Sequence, residues 1–154
     1  MRQPHLLCVE EGPERFAPLL AALAAAGLRA GWLELGPAEP AAASLESAAA
    51  LGAGRAVAAG GGRSVAVKAL RGEPVLRDLL REHFPGCALV LVRVRGAEPP
   101  EPSVPGGVSL APAPALFPSG DGWRIARGGD AAAQQFDTPG LLATLRRPRP
   151  WDPE

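Results

Sequence analysis

The strongest chemical signal in this chain is a run of three glycines followed by an arginine, with two further cations close behind. Glycines let backbone amides approach an anion closely, and nearby cations can neutralise its charge. Positions 49–71 contain four basic residues and no acidic one, which is the best local charge signal in the sequence. The residues that could bind a phosphate or another anion are Gly60, Gly61, Gly62, Arg63, Lys68 and Arg71.

The same glycines also fit a simpler structural interpretation. A phosphate-binding loop normally leads from a strand into the N-terminus of a helix, whereas here β-prone residues stand on both sides of the glycines. That pattern is typical of a β-hairpin with a glycine turn. Strand alternation then puts Lys68 on the face of Ser64 and Ala66, where a lysine is commonly exposed or guards a strand edge. Both interpretations, a plain turn and an anion site, stay open.

A second candidate for binding lies at the C-terminus, where a short basic and proline-rich tail carries a tryptophan. Such a tail can dock into a groove of a protein partner as an extended peptide, anchored by Arg149 and Trp151. The same tail could instead pack back onto its own domain. The sequence favours neither alternative.

Residues that commonly act as nucleophiles or metal ligands are few. Cys8 and Cys87 each lie in an apolar run typical of a strand, where a cysteine behaves as a small buried hydrophobic residue. His83 falls near the end of an amphipathic segment, where a histidine interacts favourably with the helix dipole. His5 is the only other histidine. We therefore expect no metal site and no cofactor.

A pair of carboxylates, Glu10 and Glu11, directly follows the first apolar run. Loops after the strands of α/β domains often carry function. Acidic residues at this point also serve as the negatively charged start of a helix, which is the interpretation that we favour.

Net charge and hydropathy exclude several classes of partner. The chain has 16 basic and 16 acidic residues, so it lacks the basic excess with which nucleic-acid-binding proteins displace counterions. Nucleic acid is therefore disfavoured as a partner, and the basic hairpin also lacks aromatic residues on which RNA bases could stack. The apolar stretches are too short to span a bilayer, and the N-terminus lacks the core of a signal peptide. We expect a soluble, cytoplasmic protein without a membrane partner.

Apolar periodicity predicts an α/β fold. Residues 5–9 and 30–35 are typical of strands, and residues 13–27 between them form one apolar helical face, which together make a β-α-β unit. A hairpin, a further helix and an apolar strand at residues 87–94 follow. We expect a small sandwich with a mixed sheet that starts from this unit, plus a C-terminal β-hairpin and helix docked on it.

The chain is expected to form one domain in three consecutive parts. Residues 1–94 make the α/β core. Residues 95–121 are rich in proline and are predicted to be a linker or surface loop. Residues 122–154 are too few to fold alone, so this hairpin-helix element is expected to pack on the core.

Two functions agree with these patterns. The first is a non-catalytic binding or accessory domain that acts through protein contacts. The alternative is a small binder or enzyme for a phosphorylated or nucleotide ligand, which would use the turn from Gly60 to Arg63 together with Lys68. The expected partner is accordingly a protein or a phosphorylated small molecule.

Overall fold

The computed structural model describes residues 4–35, 47–48, 51, 53, 55–68, 75–94, 113–127 and 133–148. Eight strands and three α-helices lie in these residues, and a 3-10 turn at Pro13–Phe16 precedes the first helix. The strands are β1 His5–Val9, β2 Ala30–Leu35, β3 Arg55–Gly60, β4 Arg63–Lys68, β5 Leu89–Val94, β6 Ala115–Ser119, β7 Gly122–Ala126 and β8 Gln134–Phe136. The helices are α1 Ala17–Ala25, α2 Leu76–His83 and α3 Thr138–Leu145.

Six strands form one mixed sheet in the order β2-β5-β1-β6-β7-β8, and β3 and β4 form a separate two-stranded sheet. The first four strands of the large sheet run parallel, whereas β7 and β8 are antiparallel to their neighbours. Leu89, Val90, Leu91 and Val92 of β5 are all fully buried. A strand that is apolar on both faces belongs inside a parallel sheet, and β5 accordingly lies between β1 and β2.

The order of the strands explains where the first two helices lie. The connection through α1 runs from β1 past β5 to β2, and the connection through α2 runs back from β2 to β5. Right-handed crossovers that move in opposite directions place their helices on opposite faces of a sheet. Leu19 and Leu23 of α1 share one apolar cluster with Leu91, whereas Leu79 of α2 packs in the other cluster with Val90. The α/β prediction is confirmed as a sheet covered by helices on both faces.

The cluster on the α1 face joins both ends of the described chain. Phe16 is fully buried, and its ring lies 5.9 Å from the ring of Trp32 in β2 and 5.9 Å from that of Trp123 in β7. Leu141 and Leu145 of α3 belong to the same cluster. The C-terminal strand pair and helix therefore share a core with the N-terminal strands, as the predicted docking requires.

The start of α3 follows from a local signal in the sequence. The Asp137 side chain accepts a hydrogen bond of 2.7 Å from the Gly140 amide, and Pro139 stands in the first turn, where no amide partner is needed. At the other end of the helix, His5 Nε2 lies 3.0 Å from the Leu145 carbonyl oxygen. Both ends of α3 are thus tied down.

The structure differs from the sequence prediction at β6, because Ala115–Ser119 falls in a segment for which we expected no regular structure. Pro118 was one reason for that expectation, since proline cannot donate to a sheet. In the register of β6 with β7, the nitrogen of Pro118 points toward the β1 side of the strand. β1 pairs with β6 only at Cys8 and Ala115, so Pro118 has no paired residue of β1 opposite it. The proline is tolerated because this part of β6 is an edge.

Within the described residues, no helix is both long and apolar enough to span a lipid bilayer.

Candidate functional site

The glycine-rich stretch forms the turn of a regular β-hairpin, which we call the exposed hairpin (β3 and β4). Its strands are antiparallel. They pair continuously from Arg55 and Lys68 at the base of the hairpin to Gly60 and Arg63 at its tip. Gly61 and Gly62 make the two-residue turn with φ of +57° and +77°. Positive φ at both central positions is what a type I′ turn requires, and glycine adopts it without strain. The predicted hairpin is confirmed.

This hairpin is separate from the six-stranded sheet. One contact that holds it to the rest of the protein joins the Lys68 ammonium to the Glu82 carboxylate of α2, with Nζ and Oε1 2.7 Å apart. The two side chains are 40% and 38% exposed, so the pair is screened by solvent and contributes little to stability. The base of the hairpin therefore lies beside α2.

Both faces of the exposed hairpin carry an apolar side chain in contact with water. Val57 is 56% exposed and Val65 is 54% exposed. Paired residues of a hairpin share a face, and Val57 pairs with Ala66 whereas Val65 pairs with Ala58, so the two valines lie on opposite faces. Two-stranded hairpins are marginally stable in water unless something packs against them. An ordered hairpin with a bare valine on each face is therefore a candidate contact surface.

The edges of the exposed hairpin offer backbone groups as well. A two-residue turn makes Gly60 and Arg63 a hydrogen-bonded pair, and hydrogen-bonded pairs alternate along the strands. The N–H and C=O groups of Val57 and Ala59 consequently point away from β4, and those of Ser64 and Ala66 point away from β3. In the part of the chain that the structure describes, no third strand pairs with either edge.

Arg63 and Lys68, the two described cations of the predicted anion site, do not lie together at the glycines. Arg63 stands at the tip and Lys68 at the base of β4, about 17 Å apart along an extended strand and on opposite faces. Lys68 is engaged by Glu82. A Cβ atom built on any of the three turn glycines, positions 60–62, would meet nothing within 4 Å, so these residues border open space.

Three residues of the sequence-based sites lie outside the described residues. These are Arg71 of the anion site and Arg149 and Trp151 of the C-terminal tail.

A cluster of polar side chains lies where β1, β2 and β5 end. We did not predict this cluster from the sequence. Glu34 and Arg93 are cross-strand partners, with Glu34 Oε1 3.5 Å from Arg93 Nη1. The same oxygen accepts a hydrogen bond of 3.1 Å from the Trp32 indole, and Arg93 Nε–H donates to the Glu10 carbonyl at 3.3 Å. The signal was present, since each is the only charged residue in its strand. These bonds tie the ends of three parallel strands together.

The side chains that could act as a nucleophile or a base, Cys8, Cys87 and His83, each lie against apolar groups. Cys8 is half-buried in β1, and burial raises the pKa of its thiol, which disfavours the thiolate that would act as a nucleophile. His83 stands against Phe84, with ring centroids 6.4 Å apart in an edge arrangement. Cys87, which is half-buried, packs against the apolar cluster beneath α2.

Comparison with known protein families and with curated proteins finds no match for this chain. Its function is therefore inferred from its own geometry, above all from the exposed hairpin.

Proposed function

We propose that this chain is a non-catalytic binding or accessory domain that acts through protein contacts, and that the exposed hairpin makes the principal contact. The observation that carries the proposal is an ordered hairpin with a valine more than half exposed on each face. Exposed apolar groups beside unpaired strand edges mark sites at which another chain can pair or pack.

The surroundings of the hairpin support this function. The core of the fold is built from the six-stranded sheet and its helices, and the two apolar clusters of buried residues contain no residue of β3 or β4. Val57 and Val65 are therefore not part of the described core. Binding residues often lie on surface segments that a rigid scaffold positions, and the exposed hairpin is such a segment.

The phosphate or nucleotide alternative receives less support from the same residues. It needs Arg63 and Lys68 near one anion, whereas the hairpin register places them at opposite ends and on opposite faces of β4. A ligand that binds the folded state raises the melting temperature, with about 2.7 kcal/mol of stabilisation at 100 times its dissociation constant. We expect phosphate, sugar phosphates and nucleotides to leave the melting temperature unchanged. A clear rise that Arg63→Ala abolishes would instead support the alternative.

Photocrosslinking tests the proposed function directly. A photoreactive phenylalanine analogue at Val57 or at Val65 is expected to form covalent adducts with protein in extracts of the source cells, because both positions face outward. The matched control carries the same group at Ala143, an exposed position on α3. Adducts from the hairpin positions that are no more abundant than those from Ala143 would contradict the proposal.

A further inference from the structure

We propose that the β3 edge of the exposed hairpin binds an extended acidic segment of another protein, which adds to the hairpin as a third strand. This inference rests on the proposed function and names the kind of partner and the edge that it uses. Strand addition of this type takes its affinity from backbone hydrogen bonds and its specificity from alternate side chains.

The two edges of the hairpin are not equivalent. β4 begins at Arg63 and ends at Lys68, and charged residues, lysine above all, are the usual means of keeping an edge strand from pairing. β3 has a charged residue only at its base, Arg55, and contains only alanine, valine and glycine from Ala56 to Gly60. Its small side chains leave the outward amides and carbonyls of Val57 and Ala59 open to a neighbouring strand. The edge available for pairing is therefore β3.

Charge decides what kind of strand fits that edge. Positions 55–68 contain three basic residues and no acidic one, and one of the three, Lys68, pairs with Glu82 of α2. Pairing two copies through β3 would bring together two hairpins of the same positive sign. An acidic strand meets the opposite sign, which favours the encounter and the correct partner. The charge pattern thus favours an acidic segment over a second copy of this chain.

The tip of the hairpin indicates where the acidic side chain would lie. Arg63 is exposed and pairs across the strands with Gly60, which has no side chain and faces open space. Adjacent strands lie about 4.8 Å apart, so an arginine that reaches over a glycine can contact a residue on the strand beyond it. On the other face, Val57 offers a cross-strand contact to an apolar residue of the partner. The expected segment alternates acidic and apolar residues.

The test uses two short fluorescein-labelled peptides, one of alternating valine and glutamate and one of alternating valine and lysine, with fluorescence anisotropy as the readout. The full chain is expected to bind the glutamate peptide at least about tenfold more tightly, and the affinity should fall as salt is raised. Arg63→Gln should weaken this binding several-fold. Ala59→Pro removes an outward amide of β3 and should weaken it about tenfold or more.

Ala66→Pro is the matched control, because it removes an outward amide of β4 and, like Ala59→Pro, none of the hairpin's own hydrogen bonds. It should bind as the unmodified chain does. A glutamate peptide with alternate backbone amides methylated gives a second test that needs no variant, and it should not bind. Equal affinity for the two labelled peptides, or equal losses in the two proline variants, would overturn the proposal.

Sedimentation of the unmodified chain separates this inference from the proposed function. Self-association that Ala59→Pro abolishes would mean that a second copy occupies the edge, which overturns the acidic segment but keeps a protein contact through the hairpin. Failure of the peptide test together with failure of photocrosslinking at Val57 would remove both.

Discussion

Replacing Phe16 with alanine is expected to destabilise the fold by about 3–5 kcal/mol, the range for removal of a fully buried aromatic ring. Phe16 has no exposed surface, and its ring contacts the rings of Trp32 and Trp123, each at 5.9 Å between centroids. Those tryptophans belong to β2 and β7, which lie in the N-terminal and C-terminal parts of the chain. The loss is large against a typical total stability of about 5–15 kcal/mol.

Chemical denaturation followed by tryptophan fluorescence measures this loss. Val65→Ala serves as the matched control, since an exposed valine on the hairpin contributes nothing to the apolar core, and its effect should stay within about 0.5 kcal/mol. A Phe16→Ala variant that loses less than about 1 kcal/mol would show that this ring does not join the two parts of the chain.

Replacing Gly31 with alanine is expected to cost about 1–3 kcal/mol through overpacking. A Cβ atom at this buried position of β2 would lie 2.3 Å from Cδ1 and 2.7 Å from Cε1 of the Phe84 ring, and 3.3 Å from a methyl group of Val90. Real side chains do not approach so closely, so the ring of Phe84 would have to move away from the sheet. The strand needs glycine here because the ring packs directly on its backbone.

A double-mutant cycle with Phe84→Leu distinguishes this clash from a general intolerance of β2. The smaller side chain should leave space for the new methyl group, so Gly31→Ala should cost less in the Phe84→Leu background than in the unmodified chain. Equal costs in the two backgrounds, measured by urea denaturation, would contradict the proposed contact.

The elements that the sequence predicts well are those in which local pattern and tertiary position agree. The apolar run of β5 demands burial on both faces, and a central place in a parallel sheet supplies it. Gly61 and Gly62 satisfy a turn geometry that few other residues adopt, so the hairpin follows from the local sequence of glycines between two β-prone runs. Asp137 and Pro139 mark the start of α3 for equally local reasons.

The parts that escaped prediction depend on contacts between residues far apart in the chain. Pro118 argues against a strand until one sees that β1 ends before it and leaves that side of β6 open. The bonds of Arg93 to Glu34 and to the Glu10 carbonyl need the order of three parallel strands, which no local pattern contains.

The candidate site shows the same division between local and distant information. The local sequence pattern identifies the turn and its nearby cations. The hairpin register shows that Arg63 and Lys68 lie at opposite ends and on opposite faces of β4. The contact of Lys68 with Glu82 likewise depends on how α2 packs beside the hairpin. In the described structure, the glycine-rich stretch is a two-stranded hairpin with an exposed valine on each face.

Amide hydrogen exchange, residue by residue, is the most direct measurement of whether the hairpin pairs with its partner through β3. In the presence of the glutamate peptide, the amides of Val57 and Ala59 should exchange markedly more slowly, while those of Ser64 and Ala66 on the opposite edge keep their rates. Unchanged exchange at Val57 and Ala59 in a saturated complex would contradict strand pairing at β3.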